Sequence, residues 1–178
     1  MFDPSSFPEP TLLSVNGVEL EVFEAGTQNA GNPIVLCHGF PEHAFSWRHQ
    51  VPALVAAGYH VIVPNQRGFG NSSRPSEVTD YDIAHLCGDL VALLDHFGYA
   101  QATFMGHDWG ASTVYMATGL APERVEKLVT IAIPPARAVT PGPKLFWTLR
   151  HFWYYALLGA TVLLVVGFHQ PEDEALSA

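Results

Sequence analysis

Cysteine is almost absent: Cys37 and Cys87 are the only two in 178 residues, too few for a disulfide framework or a thiolate metal site. Both stand in apolar runs, which reads as reduced core thiols and predicts a cytoplasmic protein. Charge is scarce too. Acidic and basic residues together make 14% of the chain, against about a quarter in ordinary domains, which excludes a disordered, solvated charged array. Positive charge is scarcest, with 8 Lys and Arg against 17 Asp and Glu and a formal net charge of −9. A surface of that sign repels phosphate backbones and anionic lipids, so nucleic acid is not an expected partner. The opening Met1-Phe2-Asp3-Pro4 has neither the basic flank nor the apolar stretch of a signal peptide. The uncharged run 155–168 has 14 residues, short of the roughly 20 that a membrane helix needs, so a buried or partner-facing helix is favoured over membrane contact.

What the chain does have is apolar bulk, 48% of its residues, enough for one domain with a real core. Residues 12–15 and 18–23 alternate around Asn16-Gly17, a dipeptide suited to the positive φ angles of a tight turn, and predict an antiparallel hairpin. Residues 33–37 and 60–63 read as buried strands, with a helix between them carrying Trp47, Val51, Leu54 and Val55 and stopping at Gly58. The most periodic stretch follows: Ile83, Leu86, Cys87, Leu90, Leu94 and Phe97 recur at helical spacing behind Asp80 and Asp82 and end at Gly98. Residues 102–105 are predicted as a strand, 111–119 as a helix and 125–133 as a strand. Repeated alternation of strand and helix predicts an α/β architecture, a doubly wound, mostly parallel sheet with helices on both faces. Pro134-Pro135 and Pro141-Gly142-Pro143 break this pattern, dividing a core at 1–135 from an aromatic, helical segment at 136–178.

The strongest chemical signal is Gly106-His107-Asp108-Trp109-Gly110, set between a predicted strand and a predicted helix. Flanking glycines allow the sharp turn that presents the middle side chain at the sheet edge, the context of a nucleophile elbow. Here that residue is Asp. A serine needs a base to ionise it, whereas a carboxylate, with a reference pKa of about 3.9, is an anion at neutral pH and can attack a saturated carbon directly. The product is an ester on the enzyme, which activated water must then cleave. The plainer alternative is an Asp that only caps the following helix. A second signal, His38-Gly39-Phe40-Pro41-Glu42, follows a buried strand, and the backbone N–H groups of Phe40 and Trp109 are candidates for an oxyanion hole.

Together with Ser46-Trp47-Arg48-His49-Gln50 and Gln66-Arg67-Gly68-Phe69-Gly70, these motifs make residues 33–134 resemble the α/β-hydrolase fold, close to bacterial epoxide hydrolases. The resemblance implies Asp108 as the nucleophile that opens a small apolar epoxide, Phe40 and Trp109 as backbone oxyanion donors, and a cis peptide before Pro41. It implies water as the second substrate, and neither metal nor cofactor. Haloalkane dehalogenases share Asp and Trp in the elbow but usually carry Asn where this chain has Phe40, and fluoroacetate dehalogenases usually carry Arg where it has Trp109; both departures favour the epoxide. The family's lid supplies Tyr or His side chains that hydrogen-bond the epoxide oxygen, and His151 and Tyr154, where such a lid begins, are the candidates; aromatic packing on a lid helix is the alternative. Asn65 stands where relatives often have Asp and is predicted to keep a hydrogen-bonding role without a catalytic one. Relatives continue to a catalytic His and acid that the sequence to Ala178 does not contain, so a truncated, non-catalytic remnant or interaction module is the other class of reading, with self-association through an unfinished sheet expected of it.

Overall fold

The computed structural model describes residues 7–29 and 31–133. These fall in the first of two compact units, Met1–Pro134, while the second is Pro135–Ala178.

Strand β1 (Pro10–Val15) pairs antiparallel with β2 (Val18–Ala25), with Val15 opposite Val18. Asn16 and Gly17 take φ angles of 47° and 76°, the left-handed pair that a two-residue hairpin requires. Next come β3 (Pro33–Cys37), a 3-10 turn at Ala44–Trp47, helix α1 (Gln50–Ala56) and β4 (His60–Pro64). Helix α2 (Ile83–His96) starts at Asp82, whose carboxylate accepts the N–H of His85 at 2.9 Å. Strand β5 (Ala102–His107), helix α3 (Trp109–Leu120) and β6 (Val125–Ile131) complete the described elements.

One sheet holds all six strands in the order β1-β2-β4-β3-β5-β6. Strands β4, β3, β5 and β6 run parallel, while the hairpin adds to β4 antiparallel through β2. Both faces are covered. Val35, Cys37, Ile62 and Phe104 pack with Leu90, Leu93 and Leu94 of α2 and Val114 of α3, whereas Ile34, Leu36, Val61 and Val63 pack with Ala44, Trp47 and Val51. Burial on two faces is why β3 and β4 read as unbroken apolar runs rather than as alternating ones. Cys37 and Cys87 lie in this core as free thiols, and burial pushes the Cys87 thiol up to about 11.

From β3 the chain steps to β4 on one side, then returns across β3 through α2 to reach β5 on the other. The reversal leaves a crevice at the carboxyl ends of β3 and β5, the place where open α/β sheets bind ligands. Register sets what meets there. Cys37 is level with Gly106, so His38-Gly39-Phe40 and His107-Asp108-Trp109 leave the sheet side by side. Trp47 lies in the 3-10 turn, one element before the predicted helix. Pro52 explains this, because in a longer helix its ring would meet the carbonyl of Arg48 and its missing N–H would leave that group unbonded.

Candidate active site

Asp108 connects β5 to α3 with φ 51° and ψ −120°, angles that glycine normally supplies. A non-glycine residue held there costs about 1–3 kcal/mol, a strain characteristic of functional turns. The turn is held by backbone bonds: Asp108 N–H donates to the Ile131 carbonyl at 3.1 Å, and its carbonyl accepts from Ala111 N–H at 2.9 Å. Its side chain makes no N-cap bond to α3. Instead Oδ1 accepts the backbone N–H of Phe40 at 3.2 Å. Two glycines make this approach feasible. A Cβ on Gly110 would overlap the carbonyls of Cys37 and His38, and one on Gly39 would stand 2.7 Å from the Asp108 Cβ.

Phe40 and Trp109 flank Asp108 with exposed side chains, 57% and 59% accessible. Phe40 carries no side-chain donor, and the Phe40–Pro41 bond is cis. The structure therefore brings three of the predicted residues together: Asp108, Phe40 and Trp109. The other two, His151 and Tyr154, lie outside the described residues.

Glu42 and His107 carry no role in the sequence reading, although both sit inside the quoted motifs. Glu42 Oε2 lies 3.2 Å from His107 Nδ1 and accepts the Gly39 N–H at 3.3 Å. A carboxylate and an imidazole thus join the segments on either side of Asp108, an arrangement that no sequence spacing announces because the two residues are 65 positions apart. Asn65 donates to Glu21 Oε2 at 2.6 Å and accepts Ala44 N–H at 2.6 Å. Burial raises the Glu21 pKa, but the bonds from the Asn71 backbone and from the Asn65 and Asn71 side chains outweigh it, so the net shift is downward.

His38 is wholly buried. Its Nδ1 faces the Gly39 carbonyl at 2.8 Å and its Nε2 faces the Gln66 N–H at 3.1 Å, partners that assign the neutral tautomer with the proton on Nδ1. Burial lowers the pKa below the ordinary histidine range, outweighing the upward pull of the Gly39 carbonyl and Glu42. Protonation at Nε2 would set two N–H donors against each other. The sign follows: with the folded pKa below an unfolded value of about 6.5, stability from neutral His38 is full above that pH and is lost as pH falls below it. Thermal unfolding from pH 7.5 to 5.5 should lose stability more steeply in the wild type than in His38→Asn, and equal slopes would refute this assignment.

Among the described residues no cluster of three or more His, Cys, Asp or Glu is placed to hold a metal ion, and no helix is long and apolar enough to cross a membrane.

The parallel sheet wound on both faces, with a strained acid at its switch point, defines a class of α/β hydrolase-like proteins, and a family model described as alpha/beta hydrolase fold matches residues 32–158. The chain belongs to the alpha/beta hydrolase fold family. Among curated relatives, it is 50% identical over 141 residues to epoxide hydrolase A of Mycobacterium tuberculosis, covering 78% of this chain and 43% of that protein. It is 42% identical over 132 residues to bifunctional epoxide hydrolase 2 of Sus scrofa, covering 74% of this chain and 23% of that protein. The crystal structure of epoxide hydrolase A from Mycobacterium thermoresistibile superposes with a TM-score of 0.71 at 48% identity, covering 80% of this chain and 44% of that one. The chain spans less than half the length of these relatives.

Proposed function

We propose that this chain carries the nucleophile half of an epoxide hydrolase. The observation that supports it best is the Asp108 carboxylate, held on a strained turn with Oδ1 against the Phe40 N–H. That bond orients the group so that Oδ2 attacks an epoxide carbon. The new C–O bond forms as the ring C–O bond breaks, and the ring oxygen leaves as an alkoxide that takes a proton from a lid acid, His151 or Tyr154. The result is a hydroxyalkyl ester on Asp108. Water, deprotonated by a base, then adds to the ester carbonyl; the oxygen turning negative is stabilised by the Phe40 and Trp109 backbone N–H groups, and collapse releases the diol. No step draws on a metal or cofactor.

The curated relatives bear the name epoxide hydrolase, which favours this reading over dehalogenation, as does Phe40, whose side chain offers a halide no donor. Buried reduced thiols support a cytoplasmic setting, and the net charge of −9 supports a small apolar ligand over nucleic acid. The division into a core at 1–135 and the start of a helical lid at 136–178 belongs to the same reading. The test is incubation with a reactive aryl epoxide followed by peptide mapping. An adduct of the epoxide's mass is expected on the peptide containing Asp108, and adducts only elsewhere would refute the assignment.

A further inference from the structure

We propose that Gln66 is a positioning residue for the Asp108 chemistry, fixing the His38–Phe40 loop against helix α3 so that the Phe40 N–H meets Asp108 Oδ1. The proposal rests on the reading of Asp108 as the nucleophile and goes beyond it by naming the group that sets the nucleophile's orientation. Gln66 follows β4 by two residues and is 9% exposed. Its backbone N–H donates to His38 Nε2 at 3.1 Å and its side-chain Nε2 donates to the His38 carbonyl at 2.7 Å. On the other side, Oε1 lies 3.2 Å from the Thr113 hydroxyl, which also stands 3.3 Å from the Trp109 carbonyl. One amide therefore touches both the loop that carries the Phe40 N–H and, at Thr113, the helix that Asp108 begins.

The chemistry of the position selects a carboxamide. It must donate to a carbonyl and accept from a hydroxyl at the same time, and in the flipped orientation its oxygen would face the His38 carbonyl with no proton between them. An ionised carboxylate meets only the second requirement. A protonated carboxyl meets both, since its O–H can replace Nε2–H. The rigidity continues along the loop, because His38 Nδ1–H bonds the Gly39 carbonyl at 2.8 Å and Phe40 N–H follows directly. Among the described contacts, the Glu42 bond to Gly39 N–H also reaches this loop, but at 3.3 Å and from a half-buried carboxylate. The Gln66 bonds are buried and shorter.

Gln66→Glu is the decisive variant. Its rate of Asp108 ester formation, followed by intact mass after mixing with an aryl epoxide, should fall about 10 to 100-fold at pH 8, the scale of a small misplacement of reacting groups. The deficit relative to wild type at the same pH should shrink toward pH 6 as the introduced carboxyl protonates, whereas a merely damaged fold would show no such recovery. Amide exchange of His38, Gly39, Phe40 and Glu42, measured alongside, should be faster than wild type at pH 8 and approach it at pH 6. A wild-type rate at pH 8, or a deficit independent of pH, would overturn the proposal. Should the wild type itself form no ester, the reading of Asp108 fails, and the exchange alone then decides whether Gln66 holds the loop: unchanged exchange in the variant refutes it. Thr113→Val, which leaves both His38 contacts in place, supplies the second variant if Gln66→Glu does not fold; it should slow ester formation less than tenfold but measurably, and full wild-type rate there would count against the link to α3.

Discussion

Asp108→Asn is expected to abolish alkylation by an epoxide, lowering ester formation by at least about 10⁴-fold, the scale on which removal of a covalent nucleophile acts. Asn is the informative replacement. It has nearly the same shape, keeps an oxygen to accept the Phe40 N–H, and tolerates positive φ better than other non-glycine residues, so the turn should survive while the anionic oxygen is lost. Asp108→Gly separates function from stability. Glycine adopts the φ 51°, ψ −120° conformation without the strain that aspartate stores there, so this variant should be equally inactive yet unfold at a urea concentration no lower than the wild type. A glycine variant that was clearly less stable would mean that the Asp108 side chain, through contacts such as that to Phe40, contributes more to the fold than its backbone strain removes.

The strand–turn–helix around Asp108 was legible because its signals are local. Glycine spacing marks the turn, the apolar run at 102–105 marks the strand, and the periodicity of α2 was visible for the same reason, with its i, i+3 and i+4 apolar residues lying close in sequence. The Asn16-Gly17 hairpin was equally plain. What escaped depends on register. Glu42 meets His107 and Gln66 meets His38 only because β3 lies between β4 and β5 with Cys37 level with Gly106, and a motif read in isolation says nothing of its neighbour across the sheet. Asn65 shows the intermediate case. Its hydrogen-bonding role could be expected from residue type, but its partner Glu21 could not, since an acid on a hairpin strand with alternating neighbours reads as solvent-facing. The antiparallel join of β2 to β4 is likewise invisible to periodicity, which distinguishes strands from helices but not the direction in which strands meet.

The same limit hid the most deeply buried ion pair among the described residues. Asp89 interrupts the apolar face of α2, and Arg67 sits in a glycine-rich loop, yet the two meet in a buried, two-pronged contact: Arg67 Nε to Asp89 Oδ2 at 2.7 Å and Nη2 to Oδ1 at 2.6 Å. Their side chains are 2% and 5% exposed. Asn16 Nδ2 donates to Asp89 Oδ1 at 2.8 Å and Arg67 Nη1 to the Asp80 carbonyl at 2.5 Å, so the hairpin turn, the loop after β4 and helix α2 are fastened at one point. Removing a single partner leaves the other charge buried and unpaired, and Asp89→Ala is expected to destabilise the fold by about 3–5 kcal/mol, read from the urea midpoint at constant m. Replacing both, as Arg67→Met with Asp89→Leu, removes the orphan charge and should cost less than either single change. It should not be free, because Asn16 and the Asp80 carbonyl each lose a partner in the double variant. Since Arg67 directly follows Gln66, the double variant also asks whether this pair holds the loop beneath the site: if it does, amide exchange at His38, Gly39, Phe40 and Glu42 should quicken even where global stability is largely restored. A double variant less stable than Asp89→Ala would refute the desolvation argument and make the pair a net source of stability.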